Sequence, residues 1–104
     1  MGIDPNNILI VNLIDDDCDV YCGKGSNLGN PFNIRLESQR DEMCDKYEVF
    51  LNTRLEEGHQ GTYEQLNRIL AILKLKGSVK LGCYCAPKRC HCETIKKIII
   101  QLFS

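Results

Sequence analysis

Val79-Lys-Leu81-Gly-Cys83-Tyr-Cys85-Ala-Pro87-Lys-Arg89-Cys90-His-Cys92 reads as a strand running through a turn into a helix. The alternation places Val79, Leu81, Cys83 and Cys85 on one face of the strand. From Cys92 to Phe103 the apolar residues Ile95, Ile98, Ile99, Leu102 and Phe103 recur at helical spacing, opposite Lys96, Lys97 and Gln101. A helix on that stripe packs against the sheet. Upstream, Thr62 with Gln65 forms a capping box for a helix whose Leu66, Ile69, Leu70 and Leu73 face inward, and Gly77 terminates it. A further helix starts near Ser38, with Met43, Tyr47, Phe50, Leu51 and Leu55 on its apolar face; Asp41, Glu42 and Asp45 lie near its positive end, and Gly58-His59-Gln60-Gly61 stops it. The lone loop residue His59 is read as inert.

Nearer the N-terminus, Ile8 to Ile14 is almost wholly apolar and rich in β-branched residues, which predicts a strand covered on both faces, ended by Asp15-Asp16-Asp17. Val20-Tyr21-Cys22 reads as a second, short strand. The glycines, asparagines and proline of Gly23 to Phe32 make a shaped loop. The order strand, strand, helix, helix, strand, helix predicts an α/β fold: a small single domain with a short, mostly parallel sheet and about three helices, half of a Rossmann-like arrangement. It spans residues 8–104, with 1–7 as a flexible leader in which Gly2-Ile3-Asp4-Pro5 reads as a cloning remnant.

A chain of 104 residues, 43% apolar and 26% charged, has the composition of a globule, which excludes a disordered or collagen-like protein. Its longest apolar runs fall far short of the roughly 20 residues a bilayer requires, so no membrane partner is expected. The expected location is the cytoplasm, of the host if the chain is viral. Seven cysteines, an odd number without a secretory signal, read as reduced thiols. Cys18, Cys22 and Cys44 look incidental, as small buried hydrophobes. Residues 1–61 hold 5 Lys and Arg against 12 Asp and Glu, whereas 62–104 hold 8 against 2, so the two parts should attract each other. A near-neutral total and the absence of Trp disfavour a nucleic-acid partner.

The cluster Cys83 to Cys92 admits three chemistries. At a helix start, unsatisfied N–H groups with Lys88 and Arg89 make an anion site and favour a thiolate at Cys90 or Cys92; the same pattern also fits a plain cap with buried cysteines. Four thiols and an imidazole suit tetrahedral zinc, although Cys90, His91 and Cys92 are consecutive and cannot all converge, and nothing in the spacing selects His59 or Cys22 to complete the set. Cys83 and Arg89 fit the C-x5-R spacing of cysteine phosphatases, against which stands Pro87, with no amide to offer a phosphate. The loops 15–32 and 84–91 each follow a strand and are expected to meet at one site.

Tyr21-Cys-Gly23-Lys24, then Leu28-Gly29-Asn30-Pro31-Phe32, Arg40-Asp-Glu, Tyr47, and Leu81-Gly-Cys83-Tyr-Cys85-Ala86-Pro87-x-x-Cys90-His91 together resemble a domain-of-unknown-function family of phage, viral and bacterial proteins marked by GNPF and CxCAPxxCH motifs. The resemblance covers nearly the whole chain. It puts Gly23, Gly29, Asn30, Pro31, Phe32, Arg40, Cys83, Cys85, Ala86, Pro87, Cys90 and His91 on motif positions, with Lys24 where the family has Arg, Cys22 where it has an aliphatic residue and Cys92 where it has Gly. The zinc set this leaves is Cys83, Cys85, Cys90 and His91. The expected function is binding of a phosphorylated small molecule or nucleotide-like ligand between the GNPF loop and the CxCAPxxCH turn. Gly23, Lys24, Gly29, Asn30, Pro31, Phe32, Arg40, Ala86 and Pro87 would line the site, Lys24 and Arg40 holding the anion and Asn30 orienting the ligand, with Cys90 or His91 as the reactive group. The alternative is a non-enzymatic viral interaction module whose Cys/His cluster is a zinc staple or plain core.

Overall fold

The computed structural model describes residues 3–23, 25–29, 31, 36–84 and 90–103. Strands β1 (Ile8–Asn12), β2 (Val20–Tyr21) and β3 (Val79–Cys83) and helices α1 (Arg40–Glu56), α2 (Gln60–Lys76) and α3 (His91–Phe103) follow in the order β1, β2, α1, α2, β3, α3. This is the α/β class the sequence predicts, a small domain with a three-stranded parallel sheet. Its last strand is its middle one. β1 lies on one side of β3 with Ile8 opposite Val79 and Asn12 opposite Cys83, and β2 lies on the other with Val20 opposite Leu81.

Period-2 alternation turns Val79, Leu81 and Cys83 into the core, where they meet the apolar stripes of all three helices: Tyr47 and Leu51 from α1, Leu66, Ile69 and Leu73 from α2, and Ile95, Ile98 and Ile99 from α3. Among the described residues the opposite side of β3 is covered by a turn rather than a helix. A Cβ on Gly82 would lie 2.6 Å from the Cys18 side chain and 2.9 Å from Leu13 Cδ2, so the turn after β1 packs directly on the bare glycine. β1 is an edge strand by the sheet order, and with Leu9 41% exposed it is not the strand covered on both faces that its apolar run suggests.

The helix limits follow local chemistry. α2 ends where Gly77 adopts φ 81° and returns its N–H to the Leu73 carbonyl at 2.8 Å, a left-handed cap that glycine takes without steric cost. It starts three residues earlier than the Thr62 capping box implies. His59 is the N-cap, its Nδ1 accepting from the Thr62 N–H at 3.1 Å and lying 2.8 Å from Thr62 Oγ1. In the segment read as a leader, Asp4 caps a 3-10 turn over Pro5–Asn7 and Ile3 packs against the core. The charge asymmetry is realised in ion pairs across the chain: Lys76 with Asp19 at 2.7 Å, Lys80 with Asp16 at 3.2 Å and Lys97 with Glu48 at 2.7 Å. Among the described residues no helix is long and apolar enough to cross a membrane.

Candidate metal centre

β3 ends at Cys83 and α3 begins just after Cys90, so the parallel sheet delivers one thiol from a strand end and two more, Cys90 and Cys92, from a helix start. The three Sγ atoms lie within 4.8 Å of one another, and each residue is 2% exposed or less. Cys83 and Cys90 share a hydrogen bond, Sγ to Sγ 3.2 Å. Thiolates about 2.3 Å from a tetrahedral zinc stand about 3.8 Å apart, so the spacing brackets what one small soft cation requires.

The electrostatics of the cluster run against a free thiolate. Hydrogen bonding to the Cys83 thiol, then burial, pushes Cys90 up to about 12, although Cys92 works in the other direction. Contacts with the thiols of Cys22, Cys83 and Cys90, and then burial, push Cys92 far above the ordinary thiol range. Crowded, dry thiols hold their protons because a second thiolate there would have no counter-charge. A bound divalent cation supplies that charge and deprotonates its thiol ligands outright. Neighbouring thiols and burial thus raise Cys90, the opposite direction to the activation expected at a helix start.

His91 does not join the three converging thiols. Its Nε2–H donates to the Cys22 carbonyl, which can only accept, and its ring meets Tyr47 edge-on at 5.1 Å between centroids. Burial lowers its basicity, with the Cys22 carbonyl working the other way. Tyr47, fully buried on α1, donates its hydroxyl to the Leu28 carbonyl at 2.6 Å. Burial holds the phenol protonated, as that bond requires. The glycine-rich segment is thereby fastened at Cys22 by α3 and at Leu28 by α1; residues 85–89 of the second loop lie outside the described residues.

Residues 11–101, from within β1 to near the end of α3, match the family model described as Domain of unknown function (DUF4326). The chain belongs to that family. No curated protein and no solved structure matches it.

In this DUF4326 domain the sequence-derived zinc set is half assembled. Cys83 and Cys90 converge, Cys92 takes the place assigned to His91, and Cys85 lies outside the described residues, as do Lys24, Asn30, Phe32, Ala86 and Pro87. Three consecutive ligands do not converge; alternate ones do, because His91 turns to the Cys22 carbonyl. Gly23 is buried, and a Cβ there would lie 2.4 Å from the Tyr21 hydroxyl, while one on Gly29 would lie 2.5 Å from the Gly23 carbonyl oxygen. These two glycines serve the loop's own packing. Pro31 is exposed. Arg40 forms a two-pronged pair with Glu37, Nε to Oε1 2.6 Å and Nη2 to Oε2 3.0 Å, at the start of α1. Beside the glycine-rich segment a cavity of about 670 Å³ opens between Tyr21, Gly25, Ser26 and Asn27 on one side and Gln65 and Arg68 of α2 on the other.

Proposed function

We propose that this domain is a metal-binding α/β module in which Cys83, Cys90 and Cys92 hold a soft divalent cation, zinc by ligand type, as a staple between β3 and α3. The observation that carries this reading is the convergence of three buried thiols within 4.8 Å. Thiolate donors select zinc and similar soft ions over magnesium or calcium, which take oxygen ligands. The site acts as a structural element of a cytoplasmic protein, where thiols stay reduced. Native mass spectrometry of the freshly purified, reduced protein is expected to show one zinc per chain. A strong chelator should remove it and lower the melting temperature, since metal affinity is folding free energy in such sites. A metal-free native mass, with a melt indifferent to chelator and to added zinc, would sink the proposal.

A second reading, a phosphorylated small molecule or nucleotide held by the glycine-rich loop, is favoured by the cavity beside it. Arg68 lines the cavity as the cation in the role expected of Arg40, with Ser26 and Asn27 alongside and the Asp19 carboxylate, paired with Lys76, also in its wall. Calorimetric titration of the metal-loaded domain with nucleoside mono- and diphosphates tests it. Binding that Arg68→Ala weakens supports the reading, and absence of heat at millimolar nucleotide rejects it.

A further inference from the structure

We infer that Cys22 is the fourth ligand of the cluster, so that the cation sits in an all-thiolate site formed by Cys22, Cys83, Cys90 and Cys92. The inference rests on the metal-binding reading and adds to it the identity of the ligand that closes the site.

The register of the sheet places the residue. Val20 lies opposite Leu81 and Tyr21 opposite Gly82, so the next step along both chains brings Cys22 beside Cys83. Alternation puts both on the face that carries Val20 and Leu81, and neighbouring strands stand about 4.8 Å apart. Two backbone hydrogen bonds then fix Cys22 against the two elements that carry the other thiols. Its N–H donates to the Gly82 carbonyl at 3.0 Å, next to Cys83, and its carbonyl accepts from His91, which stands between Cys90 and Cys92. The side chain is wholly buried; its Sγ stands outside the group of three that lie within 4.8 Å of one another, so a cation would have to draw it in.

The Cys22 thiol donates to the carbonyl of Val20 at 3.6 Å, a bond that a cation would replace. Cys18 is no competitor, because it lies against Gly82 on the opposite side of β3. His91 spends Nε2 on the Cys22 carbonyl. Loading one divalent cation releases four thiol protons and leaves a cluster of net charge 2−, which the positive N-terminal end of α3 offsets. Four thiolates leave no position for water, so such a centre is structural rather than catalytic.

The test uses the full chain, reduced and stripped with chelator, titrated with Co(II) under anaerobic conditions. Wild type should give the intense thiolate-to-cobalt absorption of a tetrahedral four-sulfur site. Cys22→Ser should cut that absorption to about three-quarters by removing one sulfur in four. It should also weaken binding at least about tenfold, because even outer partners of metal ligands cost that much when lost. Cys22→Val, a residue suited to a strand, keeps the position packed and should behave alike, which guards against Cys22→Ser failing to fold. If both variants match wild type in intensity and affinity while Cys83→Ser does not, Cys22 is not a ligand and the metal-binding reading stands. If Cys85→Ser takes the missing quarter instead, the inference is equally overturned. Wild type that takes up no Co(II) overturns both readings together.

Discussion

Replacing Tyr47 by Phe deletes one oxygen from the interior and leaves the ring in place. The ring contacts with His91, 5.1 Å between centroids, and with Phe50, 6.0 Å, persist, so the substitution isolates the hydroxyl. That hydroxyl donates to the Leu28 carbonyl at 2.6 Å, with Tyr47 wholly buried and Leu28 1% exposed. A buried carbonyl stripped of its donor loses about 1–3 kcal/mol, at or above the roughly 1 kcal/mol net worth of an average exchange with water. For a domain near 100 residues each kcal/mol moves the melting temperature by about 4–8 °C, so a fall of roughly 5–20 °C is expected. Circular dichroism melts, with urea titrations to give the free energy directly, measure it. The urea slope should be unchanged, since no additional surface is exposed in the native state. A loss below about 0.5 kcal/mol, within the ordinary range for surface substitutions, would refute the argument that this bond fastens the glycine-rich segment to α1.

His59→Ala removes the N-cap of α2 and should cost about 1 kcal/mol in urea unfolding, with His59→Asn recovering most of it; equal stability of the two variants would show that the Thr62 contacts carry no weight. The pH dependence follows from the raised thiols of Cys90 and Cys92. Above the ordinary thiol value of 9.0 the unfolded chain has released protons that the folded, metal-free chain still holds. The stability they contribute is therefore fully present below 9.0 and is lost as pH rises from there towards about 12. Metal-loaded protein should show the opposite sensitivity and weaken as acid competes for the thiolates. Melts of the stripped protein that are flat from about pH 8 to 11 would contradict the thiol assignment.

Much of the fold is written in local patterns. The strand at Val79 with its alternating side chains, the helix stop at Gly77 and the stripe along α3 all lie where period and turn chemistry put them. The start of α2 is not legible in the same way, because histidine is outside the usual capping residues and Thr62 with Gln65 offers a better-formed local signal. At the site, Cys83 and Cys90 stand out by density alone. Cys92 is obscured by the resemblance, which has Gly at that position and so favours His91, and only tertiary structure shows the imidazole committed to a carbonyl in another loop. Cys22 is the least legible, since its place depends on the register of a two-residue strand against a partner some sixty positions away. No periodicity within either segment encodes that register.

The sheet order has a bearing on how the molecule comes into being. β1 and β2 pair with β3 rather than with each other, so a chain emerging from the ribosome holds two strands with no neighbour until residues 79–83 follow. Both ladders must then close long loops at once, the kind of non-local step that sets folding speed. Until they close, α1 and α2 have no sheet to cover, and the thiol of Cys83 is delivered to Cys90 and Cys92 by the same event. Synthesis thus gathers sheet, core and cluster into one late, cooperative act, and a chain halted at Ser78 holds the material of most of the domain with none of its centre.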